Sequence, residues 1–160
     1  MKVVTRWGQV GLTLTMAGYY LLVAFNNVAD YGTNFEYVRH VMSMDSISAN
    51  SHVAWHAIRS AGIHHIAYWG IIAWEGLAGV LCAVGGARMA LRVKSEEFKG
   101  AKTNALGGLW VGALLWALAF LTIGGEWFQM WQSPTWNGQV AAFRMFTVNG
   151  VVLLLLYLCE

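Results

Sequence analysis

Proline occurs once in this chain and cysteine twice, and charge is scarce: Asp, Glu, Lys and Arg make up 11% of 160 residues, against roughly a quarter in a soluble domain. With so little proline, long helices can run unbroken. Cys82 and Cys159 fall in apolar segments. They read as small hydrophobes, which excludes a disulfide framework or a zinc knuckle. No basic or arginine-rich run accompanies the net charge of +2, so nucleic acid is not an expected partner. What fills the chain is 58% hydrophobic residues at a positive mean hydropathy. That is more apolar surface than so short a chain hides in one soluble core, and a bilayer accommodates it.

Four windows reach the roughly 20 apolar residues that a span needs: about Gly8–Asn27, Ile66–Ala87, Ala105–Ile123 and Gln139–Leu158. None alternates as a barrel strand does, and four strands cannot close a barrel. The expected fold class is all-α: one four-transmembrane-helix bundle over residues 1–160, with short interfacial helices in the first outer loop. Lys2 and Arg6 ahead of an apolar run resemble a signal peptide, but Asn27 sits where cleavage after Ala29 wants a small residue, so the run reads as a retained span.

Positive charge in the loops orients the bundle. Lys2, Arg6, Arg88, Arg92, Lys94, Lys99 and Lys102 share one side; Arg39, Arg59 and Arg144 share the other. Seven against three places both termini in the cytoplasm and Val28–His65 and the Gly124–Gly138 turn outside. Trp55, Trp69, Trp127, Trp131 and Trp136 then fall at the outer interface, and Trp7 and Trp110 at the inner one, where such rings anchor.

Small residues mark expected helix contacts. Gly8, Gly11, Thr15 and Gly18 recur on one face of the first span, Gly76, Gly79, Ala83 and Gly86 on the second, and Gly108 and Gly112 on the third. The first three spans are therefore expected to pack tightly, and the fourth, through Val151–Leu156, to face lipid over much of its surface. In the outer loop, Phe35, Val38, Val41 and Met42 recur at helical spacing within Asn34–Met44, which predicts an amphipathic interfacial helix. A second short helix is expected after Asn50 or Ser51, carrying Val53, Trp55 and Ile58.

Three polar groups stand out. Glu75, about nine residues below the outer edge of its span and so roughly 13 Å deep, is costly in hydrocarbon. Asn149 lies at a similar expected depth. Glu75 is expected to be protonated, or to share a hydrogen bond with Asn149 or Trp116. The plainer reading is a polar bridge locking two helices; the sharper ones are a ligand contact or a proton or cation relay. Glu126 and Arg144, both just inside the outer face, are expected to form an ion pair, with Asp30 as the other candidate for Arg144. His52 and His56, four apart, suit zinc or copper ligation, but a third ligand would have to come from His40, His64, His65, Asp30 or Asp45. No metal is expected. Haem is not expected either. The first, third and fourth spans contain no histidine, which leaves only a His–Met pair using Met16, Met130 or Met145. No nucleotide loop, hydrolase elbow or zinc-protease pair occurs, and no catalytic residue is assigned.

Three stretches, Leu22–Asp45 (LVAFNNVADYGTNFEYVRHVMSMD), Tyr68–Glu75 (YWGIIAWE) and Ile123–Arg144 (IGGEWFQMWQSPTWNGQVAAFR), together resemble a bacterial family of uncharacterised predicted small integral membrane proteins. The resemblance covers nearly the whole chain. It implies a four-span inner-membrane protein and supplies no catalytic residues. The topology gathers Asn26, Asn27, Asp30, Tyr31, Glu126, Trp127, Trp131, Asn137 and Arg144 into a polar, aromatic periplasmic cap. The leading functional expectation is a non-enzymatic accessory or assembly subunit, meeting other integral membrane subunits or a second copy through small-residue faces and this cap. The alternatives are a small-molecule, lipid, quinone-like or metal binding protein with its site under the cap, and proton or ion handling centred on Glu75.

Overall fold

The computed structural model describes residues 2–158, so Cys159 lies outside the described residues. Among the described residues six α-helices form: α1 (Lys2–Ala29), α2 (Tyr31–Ser43), α3 (Ala61–Leu91), α4 (Phe98–Ala101), α5 (Thr103–Leu114) and α6 (Gln139–Leu158). A π-helix, Leu115–Trp127, continues α5, and single 3-10 turns lie at Ala54–His56 and Met130–Gln132. No strand occurs among the described residues. Four helices are long and apolar enough to cross a membrane: Lys2–Ala29, Ala61–Leu91, Phe98–Trp127 and Gln139–Leu158. Each covers one predicted window, and the first three overrun it because polar end residues continue the helix past the apolar core.

The π segment has no counterpart in the sequence reading. Its wider turn shows in the backbone i to i−5 bond at its end, from Phe128 N to the Ile123 carbonyl at 2.9 Å; the Thr122 side chain also reaches back five residues, its Oγ1 donating to the Ala117 carbonyl at 2.9 Å. Segments of this kind concentrate at functional sites. The run LWALAFLTIGGEW is uniformly apolar, so its composition gives no sign of the change in turn.

Glycine lets α3 and α5 approach closely. A side chain on Gly108 would meet the Cys82 amide and sulfur at 2.7 Å, and one on Gly85 would meet the backbone of Ala105. Gly79 and Gly86 pack under Leu21 and Leu14 of α1, and Gly112 receives the ring of Tyr20. The expected contact of the first three spans is present. The face assigned to α1 is not. Its buried residues are Arg6, Gln9, Val10, Thr13, Met16, Ala17, Tyr20 and Asn27, whereas a Cβ added at Gly8, Gly11 or Gly18 would have no neighbouring atom within 4 Å. The larger residues of α1 fill the core and its glycines look outward. Helix α6 buries Val152, Leu153 and Leu156 and exposes Val151 and Leu154.

Contacts define two ends. At the basal end, Arg6 Nη1 donates to the Val93 and Ser95 carbonyls, Gln9 to Leu155 and Lys102 to Leu156. At the cap end, Ser46 bonds Ser133, Ser48 N bonds Gln132 and His56 bonds the Trp127 carbonyl. His52 and Trp131 line the same cleft at this end. Helix α2 does more than lie on the surface. Val38, Val41 and Met42 are buried in a cluster with Tyr68, Ile72, Phe128 and Met130. The second loop helix expected around Val53–Ile58 reduces to one 3-10 turn with Trp55 exposed; too few apolar side chains there find cover to hold a longer helix.

Candidate functional site

Asn27, in the last turn of α1, is the junction of three helices. Its Nδ2 donates to Glu75 Oε2 on α3 at 2.8 Å, and its Oδ1 accepts from Asn34 Nδ2 on α2 at 2.7 Å. Its backbone carbonyl accepts from the Tyr68 hydroxyl at 3.2 Å. The corner that makes this geometry is short: Asp30 separates α1 from α2 and accepts from Thr33 Oγ1 at 2.8 Å. The seven-residue step from Asn27 to Asn34 thus folds α2 back over the end of α1.

Glu75 is 2% exposed. One carboxyl oxygen is held by Asn27 and the other accepts from no described residue. The side chain lines a cavity of about 250 Å³ with Asn27, Asn34, Tyr37, Tyr68 and Trp116. A second cavity of about 300 Å³ lies between α2, α3 and the π segment, walled by Met42, Gly70, Trp74, Ala119 and Phe128 among others. Tyr37, Val38, Ile71 and Phe120 line both, so the two abut. The second wall is almost wholly apolar; the Trp74 indole N–H is spent on the Val111 carbonyl at 2.9 Å and the Tyr37 hydroxyl on the Met130 sulfur at 3.1 Å. The adjoining cavities therefore have a carboxyl at one end and an apolar chamber at the other.

A separate polar node lies deeper. Trp116 Nε1 and Asn149 Nδ2 both donate to the Tyr20 hydroxyl, at 3.0 and 2.7 Å, and Asn149 Nδ2 also reaches the Met145 carbonyl at 2.8 Å. The expected bond from Glu75 to Asn149 or Trp116 is therefore corrected. Tyr20 and Asn27 are seven residues apart on α1, so the two nodes differ by roughly 10 Å along the bundle at 1.5 Å per residue. Trp116 still lines the Glu75 cavity through its ring. Sequence reasoning missed Tyr20, although a tyrosine in an apolar span signals a buried hydroxyl in need of partners.

The Glu126–Arg144 ion pair is also corrected. Both residues are exposed and make no salt bridge among the described residues. Arg144 lies only about 7 Å from the start of α6, near enough for its long stem to carry the charge to the headgroups. Asp30 does not pair with Arg144 either; it holds Thr33. Of the other cap residues, Asn26 and Trp131 are exposed, and exposed Asn137 accepts from the Gln139 amide at 3.1 Å.

Three of the five histidines stack as flat rings, while buried His64 bonds the Ile58 carbonyl at 2.7 Å. His56 stacks on Trp127 at 4.0 Å between centroids, His40 on Trp136 at 4.4 Å and His65 on Phe35 at 4.1 Å. Tyr31 stacks on Phe35 and bonds His65 Nδ1 at 2.8 Å. His52 and His56 do not share a helix, and no group of three or more His, Cys, Asp or Glu is placed to hold a metal among the described residues.

No curated protein and no solved structure shows significant similarity to the chain. The family described as predicted small integral membrane protein (DUF2165) matches residues 5–159. The four apolar helices agree with that description, and the chain belongs to this family of small integral membrane proteins.

Proposed function

We propose that the protein binds a membrane-soluble amphipathic molecule, with its hydrogen-bonding head toward Glu75, Asn27 and Asn34 and its apolar body in the adjoining chamber. One observation carries this reading: the carboxyl of Glu75, a buried residue with one oxygen that accepts from no described residue, lines a cavity that abuts an apolar one. A carboxyl oxygen that faces a cavity and has no protein donor is open to a ligand donor, and pairing there offsets the cost of holding the group among apolar walls. A head that donates a hydrogen bond on a flat or chain-like apolar body fits, as in a reduced quinone or a lipid alcohol. The cavity wall offers no second carboxylate and no His, Lys or Arg, so a proton or ion relay is less well supported. The charge asymmetry of the loops supports an orientation with the basal end in the cytoplasm, which favours a site in the periplasmic half of an inner membrane.

The test is extraction into polymer-bounded native discs, followed by mass spectrometry of the solvent extract. One class of amphipathic molecule is expected to be enriched over surrounding lipid. Gly70→Leu, which fills open space in the apolar chamber, and Glu75→Gln are each expected to reduce it about tenfold, the equivalent of 1.4 kcal/mol. Extracts matching bulk lipid in the wild type overturn the reading.

A second reading, an accessory subunit, is favoured by the uncovered face of α1. Gly8 and Gly11 leave room for another helix to approach closely. Companion proteins retained in the same discs and lost with Gly11→Leu support it; their absence from the wild type counts against it.

A further inference from the structure

The basal end concentrates positive charge around a separate, smaller cavity. Lys2, Arg6, Lys99 and Lys102 line about 120 Å³ together with Phe98 and one carboxylate, Glu96. Two of the four cations are buried, Arg6 at 8% exposure and Lys102 at 4%. The Arg6 guanidinium lies 4.7 Å from the centroid of the buried Phe98 ring, and Lys102 Nζ lies 5.5 Å from it. Nη1 of Arg6 donates to the Val93 and Ser95 carbonyls at 3.0 and 2.8 Å. Its Nε and Nη2 donate to no described residue, and no described carboxylate lies within ion-pair distance of it. The neighbouring Glu97 is engaged by Arg92 at 3.0 Å.

A guanidinium on a buried residue that lines a cavity, with two donor groups that no described residue takes up, offers a site for an anion, and the guanidinium fork fits phosphate oxygens. The cavity is several times the roughly 30 Å³ one water claims in the liquid, enough for a phosphate group but not for a nucleotide. We infer that this cavity binds a phosphate group, and that an anionic phospholipid headgroup supplies it. Two features favour the lipid as source. The cavity sits where the spans end, at headgroup level, and basic pockets between spans on this side of a bundle take such headgroups. Val3, Val4 and Trp7, on the same turns of α1 as Lys2 and Arg6, stay exposed and leave apolar surface for acyl chains. The site is distinct from the Glu75 cavity and does not depend on the reading given to it.

The experiment is native mass spectrometry of the full chain released from discs of phosphatidylcholine mixed with phosphatidylglycerol. Retention of phosphatidylglycerol about tenfold over phosphatidylcholine is expected, falling about tenfold in the double variant K2Q/K99Q. Both lysines are exposed, so the fold should survive; Arg6→Gln is read alongside, with helix content by circular dichroism as its folding control. In a separate arm, inorganic phosphate is added at millimolar concentration. Phosphatidylglycerol that stays bound supports the lipid source. Displacement by inorganic phosphate assigns the site to the free ion and overturns the lipid. Equal retention of the two lipids, or no change in K2Q/K99Q, overturns the site itself.

Discussion

Gly85 of α3 lies so close to Ala105 of α5 that a methyl group on the glycine would overlap the Ala105 backbone. Backbone cannot rotate aside as a side chain can, so the two helices must part. Gly85→Ala is expected to destabilise the protein by about 1–3 kcal/mol, and Gly8→Ala, with open space beside it, to cost nothing measurable. Thermal unfolding in mild detergent compares the two. Equal melting temperatures contradict the close packing.

Tyr20 holds α1 to the π segment and α6 at once, through Trp116 and Asn149. Tyr20→Phe keeps the ring against Gly112 and removes the shared acceptor. Asn149 keeps Met145, but the Trp116 indole loses its partner. The expected cost is about 1–2 kcal/mol, with a shift in Trp116 emission. Trp116→Phe in the Tyr20→Phe background should then cost less than in the wild type; additive costs would show that the two do not interact.

Tyr37 of α2 points its ring at Gly138, where a side chain would collide with the hydroxyl. Burial pushes this hydroxyl up to about 12 from its usual 10. Docking of α2 therefore favours the neutral phenol. That contribution is intact below about pH 10 and is lost as pH rises toward 12. Hydrogen exchange in α2 should accelerate across this window in the wild type and show no such step in Tyr37→Phe. Identical profiles refute the assignment.

The shared cap has a topological consequence. In a background with Cys82 and Cys159 replaced by alanine, His52→Cys and Trp131→Cys are expected to react with an impermeant maleimide from the same side of the membrane. Lys94→Cys is expected to react from the opposite side. His52 and Trp131 reacting from opposite sides would dissolve the cap.

The spans were legible because apolar length needs no tertiary context: all four predicted windows lie inside the observed helices. The apolar face of α2 was legible for the same reason, since Val38, Val41 and Met42 repeat at helical spacing and are buried. Pairings were not. Counting residues from the expected helix ends sets Glu75 level with Asn149, and such a count errs by whole turns when helices run past the apolar core. The glycine face of α1 misled because small residues permit close contact without requiring it; Met16, Ala17 and Tyr20 took the core instead. The cavities depend on the π segment and on the fold-back at Asp30, and neither leaves a periodicity that a sequence displays.

The most direct test of the account is an experimental structure of the protein in discs made from its own membrane. Non-protein density is expected between α2, α3 and the π segment, running from Gly70 to within hydrogen-bond distance of the free oxygen of Glu75. A cavity closed by α2, with both Glu75 oxygens bonded to protein and no density beside them, contradicts it.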